Sequence, residues 1–161
     1  ASSYYSFSSV NANHLIEVSF AVSENEEEGN EPSRSPVPDI KANGQDGPVY
    51  LSYGENLLIS IDLDPGTDYA RQRVDWWITC LAPDNAWYSY VWAKKWMNRK
   101  FISGIYSTNR KGVHLKPISS YPVFSSSSLP PGDYTFYFAI DNNKDQMPDS
   151  TWSDSVEVHI Q

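Results

Sequence analysis

Cysteine is nearly missing: Cys80 stands alone in 161 residues. A single cysteine excludes an internal disulfide, and its place within an apolar alternation reads as a small buried hydrophobe. Cysteine use therefore decides nothing about export. Long hydrophobic runs are missing too. No stretch approaches the roughly 18 apolar residues that cross a bilayer, so membrane insertion is not expected. The start at Ala1 lacks the pattern of a signal peptide, and the sequence reads as a piece of a longer chain. Basic charge is in deficit, with 12 Lys and Arg against 20 Asp and Glu and a formal net charge of −8. That balance argues against nucleic acid as a partner, which needs a basic footprint. The motifs of common catalysis are missing as well: no G-x-S-x-G, no H-E-x-x-H and no glycine-rich phosphate loop occurs. The histidines His14, His114 and His159 are far apart in sequence. Asp62, Asp64 and Asp75 offer carboxylates for glycoside hydrolysis, but carboxylates at strand ends are too common to define a hydrolase. The expectation is that the chain is not an enzyme.

What is present is aromatic and turn-rich. Aromatic residues make up 14% of the chain and hydrophobic residues 40%, enough for a real core, while 11 Pro and 8 Gly imply many turns. That combination favours an all-β architecture. The stretch from Arg73 to Trp92 organises the rest. Val74, Trp76, Ile78 and Cys80 alternate with Asp75, Trp77 and Thr79, Pro83-Asp84-Asn85 breaks the pattern, and Trp87 to Trp92 resumes it. Period-two alternation across such a break predicts a β-hairpin.

Other segments fall into place around it. Residues 1–22 contain one alternating strand, His14 to Phe20, too short to fold alone. Residues 23–36 carry five Glu against one Arg and no apolar periodicity, an acidic linker extended by self-repulsion and proline. From Val37 the register changes. A short strand at Val49–Ser52 is followed by Glu55–Leu63, with Leu57, Ile59, Ile61 and Leu63 on one face, ended by the turn Asp64-Pro65-Gly66. Residues 93–128 read as irregular, with weak strands near Phe101–Tyr106 and Val113–Ile118. Asp133–Ile140 and Trp152–Ile160 are strong strands.

Two resemblances extend this reading. Tyr5-Ser6-Phe7 followed by Val10-Asn11-Ala12-Asn13-His14 resembles the closing segment of internalin-type β-repeat modules, which implies that residues 1–22 are the tail of a preceding module. Pro130-Pro131-Gly132-Asp133-Tyr134-Thr135-Phe136 resembles the entry to a late strand of immunoglobulin-like and fibronectin type III-like domains, where a tyrosine bonds back to the backbone at the corner. Pro38 to Val49, Asp64-Pro65-Gly66, Asp75-Trp76-Trp77, Pro130 to Asp141 and Thr151 to Val158 together resemble a C-terminal domain of secreted bacterial multidomain proteins. The resemblance implies an extracellular or cell-surface location. The fold class expected for residues 37–161 is therefore an immunoglobulin-like antiparallel β-sandwich.

Three constellations carry possible chemistry. In the segment Asp141 to Asp154, the residues Asp141, Asn143, Asp145 and Asp149 fall at positions 1, 3, 5 and 9 of an oxygen-rich loop, and Met147 offers a carbonyl at position 7. Calcium needs six to eight hard oxygens on a tight loop, which this spacing supplies. The loop departs from the EF-hand pattern, with Gln146 at the glycine position and Trp152 where a bidentate Glu belongs, leaving Asp154 two residues late. The other reading is an Asx-rich turn between strands. The second constellation is aromatic: Trp77, Tyr88, Tyr90 and Trp92 are expected on one exposed sheet face, extended by Trp96, as a stacking platform for sugar rings. The alternative is that these rings fill the core. The third is basic. No Asp or Glu lies between Asp84 and Asp133, an interval holding Lys94, Lys95, Arg99, Lys100, Arg110, Lys111 and Lys116. Lys94, Lys95 and Arg99, beside the aromatic strand, suit an anionic polysaccharide. The function expected is a non-catalytic, carbohydrate-binding accessory module that works beside other domains of its own chain, with a calcium-stiffened structural spacer as the alternative.

Overall fold

The computed structural model describes residues 34–92, 99–108, 112–149 and 152–161, with the backbone alone described at 92, 99 and 100. The chain divides by contacts between Asn30 and Glu31, so every described residue lies on the C-terminal side of that division.

Ten strands follow in chain order: β1 Val37–Ala42, β2 Val49–Leu51, β3 Leu57–Asp64, β4 Arg73–Leu81, β5 Trp87–Trp92, β6 Arg99–Ser103, β7 Val113–His114, β8 Ile118–Ser126, β9 Gly132–Asp141 and β10 Trp152–Ile160. They form two unclosed sheets, a β-sandwich. The small sheet has the order β1-β3-β8, and the large one β2-β10-β9-β4-β5-β6, with β7 pairing β4. Every pairing is antiparallel except β2 with β10, which run parallel from Val49↔Val158 to Leu51↔Ile160. The three-residue β2 thus adds one short parallel pairing to the expected antiparallel β-sandwich.

The strongest alternations form the middle of each sheet. In β3, Leu57, Ile59, Ile61 and Leu63 are buried while the residues between them are not. In β9, Tyr134, Phe136, Phe138 and Ile140 are buried and join Val74, Trp76, Ile78 and Cys80 of β4 in one core. Trp76 meets Phe138 edge-on at 5.5 Å, a geometry that suits the ring quadrupoles.

Two strands escaped the sequence reading, and both flank β3. β1 holds Pro38, Asp39 and Lys41, and β8 holds Pro122 among four serines. Proline gives no N–H to a ladder, so both are confined to sheet edges, where the apolar pattern thins. The ladder of β3 with β8 also shifts register between Ile59 and Ser60, where Pro122 lies opposite Ser60.

Arg34, at the end of the acidic linker by composition, is already part of the sandwich. Its N–H donates to Thr67 Oγ1 (3.1 Å), and its carbonyl accepts from the Thr67 N–H (3.1 Å). Gly66 makes the approach possible: its φ is 65°, and a Cβ there would lie 2.0 Å from the Arg34 carbonyl oxygen. At the opposite corner, the Tyr134 hydroxyl donates to the Pro130 carbonyl at 2.9 Å. This is the backbone-directed tyrosine that the Pro-Pro-Gly-Asp-Tyr run led us to expect.

Candidate functional site

The hairpin of β4 and β5 sets which aromatic rings meet. Thr79 pairs with Ser89, Cys80 with Tyr88 and Leu81 with Trp87. Tyr88 and Tyr90 therefore share the face of Cys80, which looks into the sandwich, and Trp77 takes the opposite face. Tyr90 is 2% exposed within the core, and Tyr88 packs against that core. Trp77 is 4% exposed and stands outside the core cluster. The expected single exposed platform of Trp77, Tyr88 and Tyr90 is thus corrected. The turn at Pro83-Asp84-Asn85 places the two strands one residue out of the assumed phase, and such a slip moves every side chain to the other face. Trp92, Lys94, Lys95, Trp96 and Arg99 of the expected site lie outside the described residues, the first and last by their side chains.

Sequence reasoning missed the rings that do share the outer face of the large sheet. Trp87 of β5 and Tyr137 of β9 flank β4, half-buried, with ring centroids 5.5 Å apart and planes at 36°. The usable signal was parity: both sit one residue away from the buried alternation, as Thr79 and Thr135 do. The loop after β6 crosses this face. Ser89 Oγ donates to the Gly104 carbonyl (2.8 Å) and accepts from the Tyr106 N–H (2.9 Å), leaving Tyr106 exposed.

Further along the same outer face lies a buried acid pair. Asp75 of β4 is the cross-strand partner of Asp141 of β9, and both are 0% exposed. The Trp77 indole N–H donates to Asp141 Oδ2 at 2.6 Å, and the Asp149 N–H reaches the same oxygen at 3.3 Å. The Gln146 N–H donates to Asp75 Oδ2 at 2.7 Å, while the Asp75 N–H donates to the Asn143 carbonyl at 3.1 Å. Asp75 Oδ1 is buried and has no hydrogen-bond partner among the described residues. Burial raises the pKa of Asp75, helped by the nearby charges of Asp145 and Asp149 and opposed by the Gln146 N–H and by Lys144. Burial likewise pushes Asp141 up to about 6, reinforced by a side-chain hydrogen bond with Asp149 and opposed by the Trp77 indole.

The oxygen-rich loop thus folds onto Asp75 and Asp141. Within it, Asn143 Nδ2 donates to Asp149 Oδ2 (3.0 Å), and Asn143 Oδ1 accepts from the Asp145 N–H (3.3 Å). The Met147 side chain is exposed, and its carbonyl accepts from the Asp149 N–H at 3.1 Å. Asp154 does not join them. It pairs across from Phe138, on the inward face of β10, and its Oδ2 accepts from the Ile40 N–H of β1 at 2.9 Å. The sheet itself separates Asp154 from Asp141, so its place in the expected ligand set is corrected. Among the described residues no three His, Cys, Asp or Glu side chains are grouped so as to hold a metal ion.

Between the sheets, at the end near the Pro83 and Pro130 turns, is a cavity of about 350 Å³. Tyr88, Phe101, Phe124, Leu129, Tyr134 and Phe136 line it, together with Cys80. Burial pushes the Cys80 thiol up to about 12, which keeps it protonated and unreactive. The described histidines also have structural partners. His114 Nε2 accepts from Arg73 Nε (2.9 Å), and His159 Nδ1 meets Asp133 Oδ1 at 2.7 Å while its ring stacks on Tyr50. Asp62 and Asp64 lie in the small sheet, where Asp62 accepts from the Ser120 N–H and Asp64 from the Gly66 N–H. They do not meet Asp75, which belongs to the large sheet.

The fold and site define an all-β domain of two packed sheets. Comparison of the chain with protein-family models, with curated proteins and with solved structures finds no match in any of the three.

Proposed function

We propose that this domain is a non-catalytic binding module of a secreted or cell-surface protein, and that it takes a saccharide on the outer face of the large sheet. The observation that carries the reading is the Trp87–Tyr137 pair, two half-buried rings fixed on either side of β4. Such rings present apolar faces to the C–H face of a pyranose, and Thr135 beside them supplies a hydroxyl for its edge. Tyr106 lies exposed in the loop that crosses the same face. The strand order and the Tyr134 corner support the resemblance to immunoglobulin-like accessory domains, whose partners are the other domains of the same chain. Lys94, Lys95 and Arg99, which follow β5 in sequence, make an anionic polysaccharide the first ligand to try.

The test is affinity electrophoresis against neutral and acidic polysaccharides, with Trp87→Ala compared to the parent chain. The reading expects retardation by at least one polymer and its loss in Trp87→Ala while thermal unfolding stays cooperative. A structural spacer is the second reading, favoured by the burial of Trp77 and Tyr90. It expects no retardation by any polymer.

A further inference from the structure

We propose that Asp75 and Asp141, with oxygens of the 142–149 loop, hold a calcium ion on the outer face of the large sheet. The inference stands independently of the saccharide reading. Its starting point is Asp75, which an oxygen count along the loop alone does not find. Asp75 is 0% exposed, its Oδ2 is tied to the loop by the Gln146 N–H, and Oδ1 of the same carboxylate is buried with no partner among the described residues. Native structures satisfy nearly all buried polar atoms, and a bare carboxylate oxygen out of water is among the most costly to leave. What surrounds it deepens the need for a cation. The fully buried Asp141 lies directly across the strand pair, and Asp145 and Asp149 press negative charge on Asp75 from the loop, with Lys144 the opposing charge. No hydrogen bond or salt bridge joins Lys144 to Asp75 among the described residues, and the Lys144 stem lies against Gly112.

The donor chemistry selects the ion. Every candidate donor is an oxygen: the carboxylates of Asp75 and Asp141, the amide of Asn143, and the carbonyls of Asn143 and Met147. Hard oxygen donors without thiolate or imidazole suit calcium or magnesium and disfavour zinc and copper. Calcium accepts irregular sets of six to eight oxygens, including carbonyls, amides and water, whereas magnesium demands a near-ideal octahedron. Two carboxylates fixed on strands, completed by neutral oxygens of a turning loop, need no cage of three acids. Ion binding here would fasten the 142–149 loop to β4 and β9.

The test uses the full chain freed of divalent ions with EDTA. Thermal melts are recorded with EDTA, with calcium chloride and with magnesium chloride, and terbium emission is read under tryptophan excitation, since the Trp77 indole already contacts Asp141. The proposal expects the Tm to rise by about 10 °C at roughly 100-fold excess of calcium over Kd. It expects a smaller rise with magnesium, and terbium emission that calcium quenches. In Asp75→Asn, folded by circular dichroism, the calcium shift and the terbium emission should both vanish. An unchanged Tm in millimolar calcium together with no sensitised emission overturns the proposal, as does a folded Asp75→Asn that responds like the parent. Should Asp75→Asn not fold, the parent chain's melt and emission decide the matter alone.

Discussion

The two faces of the β4–β9 ladder are equally well buried over much of their length and chemically opposite. Inward, Val74, Trp76, Ile78 and Cys80 meet Phe136, Phe138 and Ile140 in an apolar core. Outward, Asp75, Trp77 and Thr79 are buried beside Ala139 and Asp141. β4 consequently shows no alternation of exposure from Val74 to Cys80, although its sequence alternates in polarity. The inner face is stabilised by area removed from water and tolerates hydrophobic exchange of similar volume. The outer face depends on each polar group meeting its particular partner, so it is specific and costly to disturb. Where both faces of a ladder are buried, work separates by parity: one side holds the domain together, and the other arranges polar groups with their partners.

The largest expected effect comes from the inner face. Phe138→Ala removes a fully buried ring that touches Trp76 edge-on, and should cost about 3–5 kcal/mol, read as a lowered urea midpoint at unchanged slope. The outer face comes next. Trp77→Phe keeps much of the ring but deletes the indole N–H that Asp141 Oδ2 accepts, and should cost about 1–3 kcal/mol. Combining it with Asp141→Ala should cost less than the two single changes added together, because both remove the same bond. If the pair proves additive, the two faces obey one rule and the contrast fails. At the corner, Tyr134→Phe loses only the bond to the Pro130 carbonyl and should cost about 0.5–1.5 kcal/mol, with the fold kept. Cys80 provides a probe of the inner face with almost no energetic effect. A thiol held at about 12 should resist a disulfide reagent at pH 8 and react at once in denaturant. Rapid labelling of the native chain would show that the cavity end of the core opens readily.

How far the sequence revealed this arrangement follows from where each residue lies. β3, β4, β5, β9 and β10 were legible because each has one face in the core, so apolar residues recur at every second position. β1 and β8 were not: Pro38 and Pro122 mark edge strands, β8 buries only Val123, and the buried face of β1 is Pro38, Ile40 and Ala42 rather than a run of large apolar residues. The rings of the hairpin were legible as rings but not by face. Phase across Pro83-Asp84-Asn85 is set by the turn, where Asn85 takes a φ of 61°, and not by either strand's pattern. The loop from Asp141 to Asp149 was legible as oxygen-rich. Its anchor was not, since Asp75 is 71 residues from Gln146 along the chain and reads locally as the polar half of an alternation. The Trp87–Tyr137 pair was hidden for the same reason: only the ladder shows that the two flank one strand.

The proposed function requires that ligand meet the outer face of the large sheet and leave the inner one undisturbed. The decisive experiment titrates a retarding polysaccharide, cut to short oligomers, into ¹⁵N-labelled chain and follows the backbone amide and indole N–H signals. The Trp87 signal should shift progressively with saturation while that of core Trp76 stays fixed. A still Trp87 signal, with shifts confined to residues lining the inter-sheet cavity, would contradict it.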